Sequence, residues 1–251
     1  MTKETAMDLD ALAFGAHADD AELGCGGTLI KMAEAGHRTG IVALTRGEMG
    51  TRGGPADRAR EFDEAAAILG LAAHEMLDIP DARVDVSWEN KLKIVERLRF
   101  YKPRLVFAPY WVDRHPDHEK TSELVREAVF LAGLKKVETG QPPARPYKLI
   151  FYPARFDFSP SFIVDISAQY ERKIKAIQAY RTQFGAVGAE EPEAAQTLIS
   201  RPVFLDRIET RARQYGAQIG VRHGEPFLVR EAIRVDDPVA FFGPEYLWTI
   251  P

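Results

Sequence analysis

The chain has little of what cross-linked, membrane-spanning or nucleic-acid-binding proteins require. Its 251 residues include a single cysteine, Cys25, which excludes an intramolecular disulfide framework and fits a reducing compartment. No apolar run approaches the roughly 20 residues that span a bilayer. With 33 Lys and Arg against 37 Asp and Glu, the formal charge is −4, so no net basic field is available to neutralise phosphates. We therefore expect neither a nucleic-acid nor a membrane partner.

The first eight residues also lack the basic start and apolar stretch of a secretory signal, since they are polar and acidic. We expect a cytoplasmic protein. Its length suffices to bury a substantial core, and we expect one domain over residues 1–251. Within it, the patterns predict a core over about 9–135 and a C-terminal α/β extension over about 147–251. The oligomeric state is left open, and a homo-oligomer is compatible with the sequence.

Short apolar runs alternate with helical patterns through the first 150 residues. Strands are predicted at 9–16, 41–44, 74–79 and 105–108, and helices at 20–35, 56–69, 88–101 and 116–131. Strands separated by helices of this length are typical of a parallel sheet. We therefore predict an α/β fold with a Rossmann-like, open, mostly parallel sheet and helices on both faces.

The rest of the chain is less regular. Two further strands are predicted at 148–152 and 162–166, and a last strand at 227–235. Residues 166–184 and 192–219 read as mainly helical. These elements form the predicted C-terminal extension.

Two polar motifs stand at the ends of predicted strands. His17-Ala18-Asp19-Asp20 follows the first apolar run, and His115-Pro116-Asp117-His118 comes shortly after the run at 105–108. In open α/β sheets, ligands bind at the carboxyl ends of the strands. The two ends together offer His, Asp, Asp, His and His, which suits a zinc site with a general base beside it.

Spacing within each motif suggests a division of labour. His17 and Asp20 are three residues apart at a strand-to-helix turn and can bind one ion together, which frees Asp19 to point at a bound water. His115 and His118 share a helix face, so that one can bind the metal while the other faces the substrate. The spacing alone does not say which of them does so.

The two motifs resemble the hallmarks of the PIG-L/LmbE-type zinc-dependent N-deacetylases. That family carries Ala-His-Pro-Asp-Asp-x-Glu near the amino terminus and His-Pro-Asp-His further along the chain. Here residues 16–22 read Ala-His-Ala-Asp-Asp-Ala-Glu, with alanine in place of the family's proline at position 18. The resemblance runs through roughly 9–133 and more weakly through 162–227.

The resemblance implies a metal-dependent amidohydrolase that acts on a linear amide. It implies one Zn²⁺ per chain, or another divalent metal in its place, with His17, Asp20 and His118 as ligands. Asp19 is then the general base that takes a proton from water at the metal. The substrate implied is a small N-acetylated amino sugar.

The remaining residues of the second motif have implied roles as well. His115 looks like the group that stabilises the oxyanion or protonates the leaving amine. Asp117 is expected to orient His115. An imidazolium beside a reacting carbonyl offsets the negative charge that develops there.

Within the family, the segments 12–17, 106–110, 113–118 and 179–184 are most similar to the N-acetylglucosaminyl-malate deacetylases of bacillithiol biosynthesis. The resemblance thus implies N-acetylglucosaminyl malate as substrate. Other N-acetylglucosaminides remain alternatives, namely a mycothiol precursor, a chitobiose or an antibiotic intermediate.

An acidic aglycone calls for a cationic clamp, because a guanidinium can bind a carboxylate through two parallel hydrogen bonds. Arg58 lies where the resemblance places that clamp, and Arg52 is a weaker candidate. Arg58 can instead form a solvated pair with Glu61 or Glu64 on its own helix.

The remaining substrate-binding candidates also come from the resemblance. They are Gln183, His223 and Glu225. Where the family often has Tyr-Ala-Glu near the C-terminal pocket, this chain has His223-Gly224-Glu225, which leaves the exact substrate open.

Two other classes of protein compete with this interpretation. The glycines at 24, 26 and 27 suggest a dinucleotide-binding oxidoreductase, but Asp19 and Asp20 occupy the turn that must receive the pyrophosphate. A non-catalytic metal-binding protein of the same fold is the second alternative. Asp19 and His115, present in addition to three ligands, favour catalysis.

Overall fold

Five short strands with almost uninterrupted apolar runs form the central sheet of the computed structural model, which describes residues 7–185, 197–201 and 203–243. The strands are β1 (Ala11–Gly15), β2 (Thr39–Ala43), β3 (Ala73–Met76), β4 (Leu105–Pro109) and β5 (Lys148–Tyr152). Their order is β3-β2-β1-β4-β5, and all neighbours are parallel. Every residue of β1 and β2 is buried, as expected for strands covered on both faces.

Helices cover the two faces of this sheet and define two apolar clusters. On one face lie α1 (Asp20–Glu34) and α2 (Pro55–Leu69), which are joined by a later helix. On the other lie α3 (Trp88–Tyr101) and α4 (Pro116–Ala132), which pack against each other. The predicted α/β class with a mostly parallel sheet is confirmed.

The C-terminal part adds a small antiparallel ladder. It contains β6 (Phe162–Asp165) and β7 (Gly224–Phe227), and the bridge between Phe151 and Leu228 ties it to the main sheet. The helices of this part are α5 (Tyr170–Gln178), α6 (Arg181–Phe184), α7 (Val203–Gln218) and α8 (Pro238–Phe242). Helix α5 is the one that packs on α1 and α2.

Two predictions for this part need correction. The predicted last strand at 227–235 is wrong in position, because β7 ends at Phe227 and only Leu228 continues with a bridge. From Arg230 onward the chain is exposed and largely charged, and it joins neither sheet among the described residues. Of the helix predicted over 192–219, the structure describes α7, whereas residues 192–196 and 202 lie outside the described part.

Helix α1 sits unusually close to the sheet at Gly24. A Cβ atom at this position would lie 2.0 Å from the ring of Tyr152 on β5. The Tyr152 hydroxyl in turn donates a hydrogen bond to the carbonyl oxygen of Phe14 on β1, at 2.7 Å. This close approach fixes the height of α1, and therefore of Asp20 at its start, above the strand ends.

Among the described residues, no helix has both the length and the apolar character needed to cross a membrane.

The close packing of α1 against Tyr152 can be tested with a matched pair of substitutions. We expect Gly24→Ala to lower the free energy of unfolding by roughly 1–3 kcal/mol, because the methyl group overlaps the Tyr152 ring. Gly26→Ala is the control: its Cβ would be 3.6 Å from Leu69, an ordinary contact, and helix propensity favours alanine by up to about 1 kcal/mol. Urea unfolding followed by circular dichroism measures both. Equal losses in the two variants would contradict this account of α1.

Candidate metal centre and substrate pocket

A tight turn joins β1 to α1 and carries the first motif. A Cβ atom at Gly15 would lie 2.9 Å from both the Cβ of Asp20 and the carbonyl oxygen of His17, so the turn requires glycine there. The backbone N–H of His17 donates to Asp20 Oδ2 at 2.9 Å and closes the turn. These contacts bring the His17 ring and the Asp20 carboxylate to one side of the turn.

Asp19, between them, adopts a backbone conformation that L residues rarely adopt. Its φ is +114°, and its side chain is buried. Such a conformation costs on the order of 1–3 kcal/mol and is concentrated at functional sites. In this conformation the Asp19 side chain is buried beside His17 and Asp20.

The second motif begins α4. His115 is the N-cap of this helix, and its Nδ1 accepts a hydrogen bond from the backbone N–H of Asp117 at 3.2 Å. Pro116 is the first helical residue, where its fixed φ suits a helix start. Because β1 and β4 are parallel neighbours, their carboxyl ends meet at one edge and bring the two motifs together.

Three side chains from the two motifs can hold one metal ion. His17, Asp20 and His118 each offer a ligand atom, and these atoms all lie within 4.8 Å of one another. His17 Nδ1 is 3.5 Å from Asp20 Oδ2, and His118 Nε2 is 3.1 Å from Asp20 Oδ1. Two imidazoles and one carboxylate, with the open side toward a pocket, fit the donor set of a catalytic zinc site.

A second group within the same distance consists of His17, His115 and Asp117. It would use the other side of His17, where Nε2 lies 3.6 Å from Asp117 Oδ2. That nitrogen already has a partner, because it is 2.9 Å from Asp81 Oδ1. Nδ1 is therefore the His17 nitrogen left for a metal, which favours the group with Asp20.

Two further carboxylates orient the imidazoles. Asp81 Oδ1 faces His17 Nε2, while its Oδ2 accepts the N–H of Met49 at 2.9 Å. Asp113 Oδ1 lies 3.0 Å from His118 Nδ1. Such partners fix the tautomer and the ring orientation of a metal-binding histidine.

Asp81 was not among the residues singled out in the sequence. The signal that could have found it is its position: an aspartate just beyond β3, at the same carboxyl edge of the sheet as the two motifs. Asp113 lies two residues before the second motif, within the segment that carries the family resemblance.

The electrostatics of the metal-free site favour a cation between the histidines. Burial lowers the pKa of His118, but the charge of Asp20 and hydrogen bonds to Asp113 and Asp20 outweigh it and raise that pKa to about 10. Burial also lowers the pKa of His17, yet hydrogen bonds to Asp117 and other carboxylates raise it well above the usual value. Protons thus occupy positions that a metal ion would take, since binding requires neutral imidazoles.

Asp19 is paired with Arg58. Arg58 Nη1 lies 3.4 Å from Asp19 Oδ2 and 3.3 Å from the carbonyl oxygen of Ala18, and both charged side chains are buried. Burial raises the pKa of Asp19 to about 6, while the positive charge of Arg58 opposes this rise. A carboxylate with such a pKa can accept a proton from water near neutrality. Glu61, which the sequence offers as a partner for Arg58, instead accepts two hydrogen bonds from Thr182.

His115 and Asp117 face different ways. The Asp117 carboxylate accepts the N–H groups of Ala82 at 2.8 Å and Val84 at 3.3 Å, in the loop after β3. It therefore lies against this loop and His17, and the hydrogen bond that joins Asp117 to His115 comes from the backbone N–H, although the carboxylate is near the imidazole. The expectation that the carboxylate orients His115 is not met, because the loop supplies better donors. Burial and the positive charge of His17 lower the pKa of His115.

His17, Asp20 and His118 line a cavity of about 510 Å³, a size typical of small-molecule sites. Asp19, His115 and Arg58 line it as well. Its opposite lining comes from the C-terminal part and includes the apolar side chains of Leu198, Ile199, Phe204 and Ile208.

The predicted substrate-binding residues divide into two sets. Arg58 and Glu225 line the cavity, whereas Arg52, Gln183 and His223 do not. Gln183 Nε2 donates to the carbonyl oxygen of Arg52 at 2.7 Å, so these two contact each other.

His223 is buried against Tyr170, with ring centroids 3.8 Å apart and an interplanar angle of 11°. This stacking takes up the face of the imidazole and explains its position away from the cavity.

Glu225 is held by four hydrogen bonds. It accepts from Lys173 Nζ at 2.7 Å, from the N–H groups of Gly27 and Thr28, and from the Thr28 hydroxyl. These contacts join β7 to α1 and α5. Glu225 thus ties the C-terminal lining of the cavity to the helix that begins with Asp20.

Comparisons with known proteins agree with the geometry. The family described as PIG-L, GlcNAc-PI de-N-acetylase, matches residues 12–129. A diacetylchitobiose deacetylase of Thermococcus kodakarensis is 30% identical over 83% of this chain and 78% of its own. A probable N-acetyl-α-D-glucosaminyl L-malate deacetylase 2 of Bacillus anthracis is 28% identical, over 67% of this chain and 78% of its own.

The fold is shared with a solved structure as well. A conserved protein of Thermus thermophilus superposes with a TM-score of 0.82 and is 40% identical, covering 90% of this chain and 97% of that one.

The role of Asp81 can be tested through metal affinity. We expect Asp81→Asn to weaken binding of a divalent metal about 10–100-fold, because His17 loses the charge that fixes its orientation. Competition with a chromogenic chelator measures the affinity. Asp85→Asn is the control, since Asp85 is exposed and its hydrogen-bond partners within the described part of the chain are its near neighbours Ser87 and Asn90. Equal affinity in both variants would show that Asp81 does not support the metal centre.

Proposed function

The chain belongs to the PIG-L family of de-N-acetylases, and from this premise we propose that it removes the N-acetyl group of an N-acetylglucosaminide with Zn²⁺ as its metal. The observation that carries the proposal is the grouping of His17, Asp20 and His118 around one point, with Asp19 and His115 beside it in the cavity. The enzyme class is that of an amidohydrolase.

We also propose that the core and the C-terminal part act as one catalytic domain, because both line the same cavity.

Each residue has a distinct task in this proposal. His17, Asp20 and His118 would hold Zn²⁺, which supplies Lewis acidity to activate water and polarise the acyl carbonyl. Asp19 accepts the proton of the attacking water, helped by a pKa of about 6. His115, on the opposite motif, stabilises the oxyanion or passes a proton to the departing amine.

The names of the relatives support the sugar class. Two of the curated relatives, those described above, are named for N-acetylglucosamine glycosides, one a chitobiose and the other a malate glycoside. We propose N-acetylglucosaminyl malate as the preferred substrate, on the resemblance of residues 113–118 to the malate branch. Diacetylchitobiose and antibiotic intermediates remain the alternatives, and assays of released acetate on such a panel decide among them.

The chemical roles are tested by a pair of neighbouring substitutions. We expect Asp19→Asn to lower kcat for acetate release about 10²–10⁴-fold and to keep the metal, because a general base is lost while the ligands stay. Asp20→Asn should instead lose the metal. Elemental analysis and the acetate assay on N-acetylglucosaminyl malate measure both. Full activity of Asp19→Asn with bound zinc would exclude this mechanism.

Metal binding should also release protons. In the metal-free protein the pKa of His118 is raised to about 10, so its imidazole is protonated at pH 7 and must lose that proton before it can bind Zn²⁺. The apparent affinity for zinc should therefore rise with pH between about 6 and 8. Calorimetric titration in two buffers of different ionisation enthalpy should give at least one proton released per zinc. A titration without proton release would contradict this assignment of His118.

A further inference from the structure

The cavity lining contains more arginine and lysine side chains than aspartate and glutamate side chains. Every lining carboxylate is held by a cation or an imidazole within the described part of the chain. The pairs are Asp19 with Arg58, Asp20 with His17 and His118, Asp81 with His17, Asp113 with His118, and Glu225 with Lys173. The acidic groups are thus paired within the site, and of these Asp113 is the one whose charge also acts on Arg155.

Positive charge remains. Of the other lining arginines, Arg211 pairs with Asp157 at 3.0 Å. The remaining three, Arg114, Arg155 and Arg207, form no ion pair within 4.0 Å of any described carboxylate. We call these three residues the arginine cluster.

The arginine cluster adjoins the metal centre. Arg114 directly precedes His115. The backbone N–H of Arg155 donates to Asp113 Oδ2 at 2.6 Å, and Asp113 is the carboxylate that holds His118. A substrate whose acetyl group lies at these residues would therefore have Arg114 and Arg155 close to the rest of the molecule, and Arg207 lines the same cavity.

Helix α7 holds the Arg155 segment in place, whereas Arg114 and Arg207 are exposed members of the cavity lining. Arg211, one turn after Arg207 on α7, donates to the carbonyl oxygens of Ala154 at 2.7 Å and Arg155 at 2.9 Å. Partial burial and the positive charges of Arg207, Arg114 and Arg211 lower the pKa of Arg155. Like charges held together in a cavity repel each other, and an anion between them relieves that repulsion.

We propose that the arginine cluster binds an anionic group, a carboxylate or a phosphate, on the part of the substrate away from its N-acetyl group. The proposal rests on the proposed deacetylation and moves the anion clamp from Arg58, which is paired with Asp19, to Arg114, Arg155 and Arg207. Guanidinium groups suit this task because they bind both anions through two parallel hydrogen bonds.

The experiment compares three probes that share one sugar: N-acetylglucosaminyl malate, N-acetylglucosamine 1-phosphate and methyl N-acetylglucosaminide. Released acetate gives kcat/KM for each with the zinc-loaded wild type, Arg155→Gln, Arg207→Gln and Arg213→Gln. Arg213 is the control, an exposed arginine on α7 that pairs with Glu209 and does not line the cavity.

We expect the wild type to prefer one anionic probe over the methyl glycoside at least tenfold. That preference should fall tenfold or more in Arg155→Gln and Arg207→Gln, through a higher KM for the anionic probe, and stay in Arg213→Gln. The preferred probe identifies the anion as carboxylate or phosphate. Added salt should reduce the preference as well, because exposed charges are screened.

Two results would overturn the proposal and leave the deacetylase function intact. One is equal kcat/KM for the neutral and anionic probes in the wild type. The other is an unchanged preference in both cluster variants. If no probe is hydrolysed, the proposed function fails, and calorimetric binding of N-acetylglucosaminyl malate and N-acetylglucosamine 1-phosphate decides the matter. If Arg207→Gln weakens this binding and Arg213→Gln does not, the result supports anion binding by the arginine cluster. Binding that is absent, or that is the same in both variants, overturns the proposal.

Discussion

Parallel pairing of β1 with β4 is the constraint on which the site depends. The two strands are far apart in sequence, yet their register sets Ala11 against Leu105 and Ala13 against Phe107. Since both strands run the same way, the turn after β1 and the start of α4 meet at one edge. A candidate metal-binding group divided between residues 17–20 and 118 exists only through this pairing. The buried apolar residues of β1 therefore position the site, although they do not line the cavity.

The fold was largely predictable because its signals are local. Buried parallel strands appear as short apolar runs, and helix starts such as Pro116 and stops such as Gly70 mark their own positions. The two polar motifs were readable for the same reason, since each lies within a few residues of a strand end. The prediction of a last strand at 227–235 was wrong because strand formation there depends on a distant partner strand. The local pattern of residues 227–235 carries no information about such a partner.

Residues whose partners come from elsewhere in the chain were not predictable. Asp81 is a single aspartate in a loop, and only the folded chain brings it against His17. Arg58 has acidic neighbours on its own helix, but burial beside Asp19 gives it a different partner. The three residues of the arginine cluster come from three separate segments, so their proximity is a property of the tertiary structure alone.

Glu225 has a consequence for how this scaffold can change. Its carboxylate is bound to backbone N–H groups of α1 only two turns after Asp20, and to Lys173 of α5. The C-terminal wall of the cavity is thus attached to the helix that begins with Asp20, a candidate metal ligand. Remodelling that wall for a new glycoside, by recombination or by laboratory evolution, will disturb metal occupancy unless the Glu225–Lys173 attachment is carried over intact.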